Sequence, residues 1–295
     1  MKLAILIQCH KSPKQVNMLI AALQHKDISF FVHVDRKSDI ADKIIQRPNV
    51  IILPEDMRVD VRWAQFSQVE ATLNLLRCAT AEQDFDYYCL LSGQDFPIES
   101  PETILNFLEQ GDKSNYVNLF KSFHSGESHT NNYDKRNQIS YPNWMLSQGS
   151  AVRILRRLWV AITGGYNHTF RVFKKKQLQN VDFYFGSSWW CIHHEFAKYL
   201  LGYIDKDTNY SLFFKDSSCP DESFFQTLLM NSPYSSTQKD YLHYIDWSEG
   251  GSSPKNLTTL DYNKIVSSGK LFARKIDGDY ELLEMLSKHQ QNERK

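Results

Sequence analysis

Near its start the chain reads Leu3-Ala4-Ile5-Leu6-Ile7-Gln8-Cys9-His10-Lys11-Ser12-Pro13, and this stretch decides the fold class. Its first five residues form a continuous apolar run, which is typical of a parallel strand buried on both faces. The chain turns polar at Gln8, and Ser12 followed by Pro13 is a typical helix start. The stretch therefore predicts a buried strand that passes directly into a helix.

The same alternation of strand and helix continues along the first part of the chain. Apolar runs predict further strands at residues 28–34, 50–53, 87–91 and 116–120. Helical patterns lie between them, at residues 38–45, 66–79 and 101–108. Later strands are predicted at residues 187–193, 241–247 and 271–276. This order predicts an α/β protein with a mixed, mostly parallel central sheet and helices on both faces.

Polar residues follow three of the predicted strands, at residues 8–11, 35–37 and 92–95. In open α/β sheets, ligands bind beyond the carboxyl ends of the strands. His10, Asp35 and Asp95 are therefore candidates for ligand contacts. For Asp35, a helix cap or a local salt bridge is the alternative.

The composition limits the functional class. The 295 residues include 34 Lys and Arg and 34 Asp and Glu, so the formal net charge is zero. A nucleic-acid binder usually carries a basic excess, and no nucleic-acid partner is expected. Five cysteines without a paired short spacing favour reduced thiols in a cytoplasmic protein. The chain is interpreted as one domain over residues 1–295.

The middle of the chain has a different character. Residues 121–149 are polar and lack apolar periodicity, which predicts a long functional loop or lid. Between residues 153 and 176, basic and aromatic residues mix. A solvent-exposed helix face with a loop is the favoured interpretation. Contact with an anionic acceptor or with the inner face of a membrane is the alternative.

The segment Pro220-Asp221-Glu222 places two acids at the predicted start of an apolar helix. Pro220 suits the first helical position, because its missing N–H would be unpaired there in any case. A carboxylate held at a rigid helix start, near the surface, suits a general base. The alternative is that the acids only stabilise the helix dipole. The pattern favours neither interpretation and does not choose between Asp221 and Glu222.

Two further patterns concern a phosphate or a metal. An Asp-x-Asp pair occurs three times, at residues 84–86, 205–207 and 277–279. This short pattern is a weak signal for a divalent metal, and shaping of loops is the favoured interpretation, so no metal site is predicted. Basic residues in the segment 268–275, with Lys255, could instead surround a diphosphate. Spacing alone favours an edge strand that carries basic residues.

Taken together, five segments in order resemble one enzyme family. They are Cys9-His10-Lys11, His33-Val34-Asp35-x-Lys37-Ser38, Asp95-Phe96-Pro97-Ile98, Pro220-Asp221-Glu222 and Phe272-Ala273-x-Lys275. The family is the core-2/I-branching enzymes, which are β-1,6-N-acetylglucosaminyltransferases grouped with the peptide O-xylosyltransferases. The resemblance runs from about residue 3 to residue 277. It implies a nucleotide-binding half at residues 1–120 and an acceptor and catalytic half at residues 121–295 of the single domain. The chain looks like a compact bacterial member without the membrane anchor, stem or disulfides of the animal enzymes.

The resemblance implies a GT-A type fold, a UDP-sugar donor, inversion at the anomeric carbon and no required metal or other cofactor. The glutamate of the Pro-Asp-Glu segment, Glu222, is the implied catalytic base. Lys275 is an implied diphosphate ligand, next to Arg274. A second cation, an arginine in the family, falls near Lys255 by spacing. The acid of the His-Val-Asp segment, Asp35, is implied to lie near the uridine.

The acceptor side is implied less directly. Trp247 corresponds to an acceptor-site tryptophan of the family, and Lys135 and Arg136 correspond to a basic pair in its long loop. Trp63 on the nucleotide side and Trp189 on the acceptor side are candidates for stacking on a base or sugar ring. Core packing is the alternative for each tryptophan.

The resemblance therefore implies a transferase that acts in bacterial surface polysaccharide synthesis. The leading expectation is transfer of N-acetylglucosamine from a UDP-sugar to a hydroxyl of a glycan acceptor, with a lipid-linked acceptor as one option. A UDP-xylose-dependent enzyme is one alternative, and a non-catalytic UDP- or glycan-binding protein is another. The expected location is the cytoplasm, including its membrane face.

Overall fold

The computed structural model describes residues 1–123, 136–140, 143–146, 149–165, 175–176, 178–250 and 253–293. The strands in these ranges are, in chain order, β1 (Leu3–Cys9), β2 (Ile28–Val34), β3 (Val50–Ile52), β4 (Tyr87–Ser92), β5 (Phe96–Pro97), β6 (Asn115–Val117), β7 (Lys121–Phe123), β8 (Phe183–Phe185), β9 (Trp190–His193), β10 (Gln238–Lys239), β11 (His243–Ile245) and β12 (Phe272–Arg274).

The α-helices in the same ranges are α1 (Pro13–Ala22), α2 (Ser67–Glu82), α3 (Pro101–Glu109), α4 (Asn143–Leu146), α5 (Ser150–Ile162), α6 (His194–Lys206), α7 (Thr208–Phe214), α8 (Phe224–Met230), α9 (Tyr262–Val266) and α10 (Tyr280–Glu293).

The main sheet has the strand order β10-β6-β9-β4-β1-β2-β3. Strand β1 pairs in parallel with β2 and β4, β2 pairs in parallel with β3, and β6 pairs in parallel with β10. Strand β9 runs antiparallel to both of its neighbours, β4 and β6. The predicted α/β class with a mixed, mostly parallel sheet is therefore confirmed. The sheet takes strands from both of the predicted halves of the chain.

Each face of the sheet carries its own apolar core, because alternate residues of a strand point to opposite faces. Ile5 of β1 lies in a core with side chains of α1, α3, α9 and α10. Leu6 lies in a second core, with α2, α6, α7 and α8. Both side chains are fully buried, and full burial of a leucine or isoleucine stabilises a fold by about 1.5–3 kcal/mol. Helices thus cover both faces, as predicted.

The helix predicted over residues 38–45 is wrong. Only a 3₁₀ turn, Ala41–Lys43, forms there. The side chain of Asn17 in α1 accepts from the backbone N–H of Ile45 at 2.8 Å and donates to the carbonyl of Lys43 at 2.9 Å. These contacts with a neighbouring helix satisfy backbone groups that would otherwise need a helix.

The apolar helix predicted to begin at Pro220 also differs. Pro220–Glu222 is a separate 3₁₀ turn, and α8 begins only at Phe224. Ser223 lies between them with φ −139°, outside the helical range, and its hydroxyl accepts from the amide of Asn137 at 2.9 Å. Asp221 and Glu222 therefore do not belong to the first turn of α8. Of the loop predicted over residues 121–149, the described parts contain β7 and α4.

Candidate active site

A cleft opens at the carboxyl ends of β1, β2 and β4, where the sequence predicts ligand contacts. It consists of two adjoining cavities. The first, here called the strand-end cavity, measures about 660 Å³ and is lined by residues that follow these strands, with Lys275. The second, the Glu222 cavity, measures about 490 Å³ and lies over the Pro220–Glu222 turn. Both cavities are lined by Trp63, Gln68, Trp189, Ser253 and Arg274.

The strand-end cavity brings His10, Asp35 and Lys275 together. Asp35 is buried, and its Oδ1 accepts from the backbone N–H of Lys37 at 3.0 Å. Lys37 Nζ also lies 3.6 Å from Asp35 Oδ2, which is the local salt bridge of the alternative interpretation, yet Asp35 still lines the cavity. Burial and the neighbouring charge of Lys11 lower the pKa of His10, which favours the neutral imidazole at pH 7.

Lys275 is a cation of this cavity that is available to a ligand. No ion pair or hydrogen bond of its ammonium is found within the described part of the chain, whereas the neighbouring Lys11 pairs with Asp277 at 2.8 Å. Burial lowers the pKa of Lys275, and Asp277 opposes that shift. A diphosphate would supply an anionic partner for this ammonium.

Arg274 lies at the junction of the two cavities and is held from behind. Its guanidinium lies over the ring of Trp189, 4.1 Å from the centroid, and its Nη1 donates to Asp95 Oδ1 at 2.6 Å. The other oxygen of Asp95 accepts from the backbone N–H of Ser92 at 2.7 Å. An arginine fixed in this way presents its remaining donors to the cleft in one orientation.

Asp95 itself lies outside both cavities. The sequence groups it with the ligand contacts, but its side chain is fully buried behind Arg274. Burial alone would raise the pKa of Asp95, and the charges of Arg274 and His243 outweigh it, so the pKa lies below its ordinary value. The structure therefore places Asp95 as the anchor of Arg274 rather than at the ligand.

Lys255 is likewise absent from the lining of both cavities. Its Nζ lies 2.7 Å from Asp261 Oδ1. The carboxylate of Asp261 is buried and also accepts from the backbone N–H of Thr258 at 3.0 Å. Ser253, which lies two residues before Lys255, lines both cavities. The loop reaches the cleft, while its lysine points to an acid elsewhere.

The Glu222 cavity contains the two acids of the Pro-Asp-Glu segment in different environments. The carboxylate of Glu222 is partly exposed and pairs with the guanidinium of Arg136. Asp221 is buried, and its Oδ2 accepts from the hydroxyl of Ser188 at 2.5 Å. Burial, and then the charge of Glu222, raise the pKa of Asp221 to about 6. Glu222 is thus the acid of this pair that an incoming hydroxyl can reach.

The tryptophans divide between cleft and core. Trp63 and Trp247 are 52% and 53% exposed, and both line the Glu222 cavity. Trp189 is nearly buried beneath Arg274 but lines both cavities. Trp190 is 1% exposed and packs on Phe225, with 5.3 Å between ring centroids, so it belongs to the core.

Several lining residues carry no signal in the sequence. Ser188 precedes Trp189 in an irregular segment, and Gln68 lies in the first turn of α2, where a polar residue is ordinary. Only the fold brings them to the cleft. Lys135 of the predicted basic pair lies outside the described residues, while Arg136 reaches Glu222.

The residues that the structure describes contain no group of three or more His, Cys, Asp or Glu that could hold a metal ion. One acid of each Asp-x-Asp pattern pairs with a cation: Asp84 with Lys198, Asp205 with Arg77 and Asp277 with Lys11. Over the same residues, no helix is both long and apolar enough to cross a bilayer.

Comparison with known proteins identifies relatives for nearly the whole chain. The model of the Core-2/I-Branching enzyme family matches residues 3–269. Xylosyltransferase 1 of Homo sapiens is 24% identical over 304 residues, which cover 94% of this chain and 29% of that protein. Xylosyltransferase 2 of Rattus norvegicus is 24% identical over 98% of this chain and 33% of its own length. The chain thus spans about a third of the length of these relatives.

Solved structures resemble the chain only distantly. The galactosyltransferase LgtC is 9% identical with a TM-score of 0.38, over 98% of this chain and 95% of its own. Core-mannan synthase A of Aspergillus fumigatus is 10% identical with a TM-score of 0.37, over 81% of this chain and 72% of its own. Both scores are too low to support an argument about the site.

Proposed function

The chain belongs to the core-2/I-branching enzyme family, and we propose on that basis that it is an inverting glycosyltransferase that uses a UDP-sugar. The proposal rests on one observation: the same cleft contains an accessible carboxylate, Glu222, and, at a separate position, the cations Arg274 and Lys275. A base at one end and cations at the other are what a displacement with a diphosphate leaving group requires.

The strand-end cavity would hold the nucleotide. The buried carboxylate of Asp35 suits hydrogen bonds from the uridine, and Trp63 offers an exposed ring for stacking. The diphosphate would lie against Lys275 and Arg274. The sugar would then extend past Arg274 and Trp189 into the Glu222 cavity, since these two side chains line both cavities.

The proposed reaction is a single displacement. Glu222 takes the proton of an acceptor hydroxyl while that oxygen forms a bond to the anomeric carbon. The bond from this carbon to the diphosphate oxygen breaks, and its electron pair leaves with UDP. Attack and departure on opposite faces invert the anomeric centre. Lys275 and Arg274 stabilise the charge that develops on the diphosphate, which makes a metal ion unnecessary in this proposal.

The acceptor would enter over the second cavity. Trp247 lines that cavity with a half-exposed ring suited to a sugar face, and Arg136 lies beside the base. The ion pair of Arg136 keeps the carboxylate of Glu222 oriented before an acceptor arrives. These side chains suit a glycan hydroxyl, and N-acetylglucosamine is the sugar that we propose is transferred.

A xylosyl donor is the second candidate, because the human xylosyltransferase 1 and the rat xylosyltransferase 2 match 94% and 98% of the chain. A panel of UDP-sugars, with and without glycan acceptors and in excess EDTA, tests both. We expect UDP release from UDP-N-acetylglucosamine that rises with acceptor. Release from UDP-xylose alone would favour the second candidate. Binding of UDP without turnover of any donor would favour a non-catalytic protein, and loss of activity in EDTA would contradict the metal-free mechanism.

A further inference from the structure

Helix α5 turns its apolar side away from the protein. Ile154, Leu158 and Ile162 recur every four residues and form one stripe, with Leu155 beside it; we call these four residues the α5 face. Leu158 is 53% and Ile162 81% exposed. A surface helix normally buries its apolar stripe against the core. Here the stripe has no cover in the described structure.

The other side of α5 makes the intramolecular contacts. Val160 is buried, and Arg156 donates to the carbonyl of Met145 in α4 at 3.1 Å. The rings of Trp144 and Trp159 pack edge to face with 6.1 Å between centroids. The orientation of α5 is therefore held by α4, and the outward direction of the α5 face follows from these contacts.

Basic residues lie along one edge of the α5 face, with Arg157 at that edge and Arg153 one turn before it. Arg153 and Arg157 are exposed, and neither has a carboxylate partner among the described residues. In the sequence, residues 135–181 contain nine Lys and Arg and no Asp or Glu, although the whole chain has a net charge of zero. Some of these charges are used internally, as in the pair of Lys175 with Asp216 at 2.6 Å. The described surface of α5 nevertheless combines an apolar face with two exposed arginines that have no described carboxylate partner.

This combination decides which partner fits. In a symmetric contact with a second copy, each α5 face would meet its own positive surroundings, which disfavours that pairing. An anionic bilayer satisfies both properties, because the acyl boundary accepts the Ile and Leu side chains and the headgroups attract the arginines. Tryptophans at the edge of such a helix suit the headgroup level, where Trp144 and Trp159 would lie.

We propose that α5 docks the protein on the surface of an anionic lipid bilayer. The helix lies in the interface plane, with the α5 face toward the acyl chains and with Arg153 and Arg157 among the headgroups. The proposal is independent of the sugar transferred. It concerns where the cleft works, since Arg136, which pairs with Glu222 in the cleft, precedes α5 by 14 positions in the sequence.

Co-sedimentation with vesicles tests the proposal. The full chain is mixed with vesicles of phosphatidylcholine and phosphatidylglycerol, and separately with vesicles of phosphatidylcholine alone. We expect binding to the anionic vesicles and at least tenfold weaker binding to the neutral ones. The double variant Arg153→Gln/Arg157→Gln should bind about twentyfold more weakly, since each basic residue near an anionic surface contributes about fivefold. Leu158→Glu/Ile162→Glu should abolish binding.

The matched control is Leu260→Glu, which introduces the same change at a leucine that is 91% exposed and far from α5 in the sequence. It should bind vesicles as the unmodified chain does. Circular dichroism and thermal unfolding check that every variant is folded. Absence of vesicle binding by the unmodified chain would overturn the proposal. So would a dimer, seen by light scattering, that Leu158→Glu/Ile162→Glu converts to a monomer while vesicle binding is unchanged.

Discussion

The two cavities of the cleft are built in different ways. In the strand-end cavity, His10 follows β1, Asp35 follows β2 and Lys275 follows β12, so each position is tied to a buried strand. In the Glu222 cavity, the contacts join distant segments: Arg136 with Glu222, 86 residues apart, and Ser188 with Asp221, 33 residues apart. The ends of strands, from the main sheet and from the smaller sheet β11-β12-β5, position the donor side. Packing between separate segments positions the acceptor side.

The difference also separates the two kinds of chemistry that the proposed reaction needs. The strand-end cavity offers cations, one of which, Lys275, has no ion-pair partner among the described residues. The Glu222 cavity offers two adjacent acids, one paired with a guanidinium and one desolvated. A change on one side should therefore affect a different step from a change on the other, and the following variants examine that separation.

The largest effect is expected on the acceptor side, from Glu222→Gln. Glutamine keeps the size of the side chain but cannot accept the proton of the acceptor hydroxyl. We expect the transfer rate to fall about a thousandfold, within the range attributed to general base catalysis. UDP affinity should stay within about twofold, since the change lies in the other cavity. Initial rates and calorimetric titration with UDP measure the two quantities.

The matched control for this variant is Glu284→Gln, which makes the same change at an exposed glutamate of α10. It should leave both rate and UDP affinity unchanged. Normal transfer by Glu222→Gln would refute the base assignment. An equal loss of UDP affinity and rate would mean that Glu222 acts in binding or folding instead.

The second effect concerns the anchor of the donor side, Asp95→Asn. The substitution removes the charge that pairs with Arg274, and breaking a buried ion pair is strongly destabilising. We expect the free energy of unfolding to fall by about 3 kcal/mol at pH 7 in urea denaturation. The control Asp205→Asn breaks the exposed pair with Arg77 and should cost about 1 kcal/mol or less. Equal losses would show that Asp95 is no special anchor.

The pH dependence of that loss has a definite sign. The pKa of Asp95 is lower in the folded chain than in the unfolded one. Its contribution to stability is therefore complete above the unfolded value of about 3.9 and is lost as the pH falls through the folded value. The difference between the unmodified chain and Asp95→Asn should therefore shrink as the pH falls below about pH 4.

Much of the fold can be predicted because the buried segments have recognisable patterns of apolar residues in the sequence. The apolar runs of β1, β2 and β4 are continuous, and such runs mark strands covered on both faces. The helix predicted at residues 38–45 fails because a side chain of α1, Asn17, takes over backbone groups there. Short strands such as β5 and β10 consist of two residues each, too few for any period.

The residues of the candidate site also fall into two groups, those that the sequence can identify and those that only the folded structure reveals. His10 and Asp35 can be found from the rule that ligands lie beyond strand ends. The burial of Asp95 behind Arg274 cannot, because the two residues are 179 positions apart and only the antiparallel pairing of β5 with β12 brings them together. The turn of Lys255 toward Asp261 is equally invisible, since spacing along a loop does not fix the direction of a side chain.

The third effect is on the pH dependence of stability, through Asp221→Asn. The pKa of Asp221 is about 6 in the folded chain and about 3.9 when unfolded, so folding favours its protonated form. A raised pKa of an acid gives stability that is present below the unfolded value and lost as the pH rises through about 6. The unmodified chain should therefore lose about 2 kcal/mol relative to Asp221→Asn between pH 4 and pH 8.

Ser188→Ala is the companion of this variant. The hydroxyl of Ser188 donates to Asp221 and lowers its pKa, against the larger effect of burial. Without that donor, the loss of stability should shift to higher pH. Urea denaturation across the pH range measures both variants. A flat difference between the unmodified chain and Asp221→Asn would contradict the desolvated environment that distinguishes Asp221 from Glu222.

The smallest effect separates two lysines that spacing in the sequence treats alike. Lys275→Gln removes the cation with no described ion-pair partner in the strand-end cavity and should weaken UDP binding about tenfold, the lower end for a hydrogen bond to a charged group. Affinity for uridine, which lacks the diphosphate, should not change. Lys255→Gln should leave both affinities unchanged and lower stability instead, because it strips the buried Asp261 of its partner. Calorimetric titration with UDP and with uridine distinguishes the cases. If Lys255→Gln weakened UDP selectively, the loop of Lys255 would have to close on the diphosphate, and the donor side would depend on packing between segments as much as the acceptor side does.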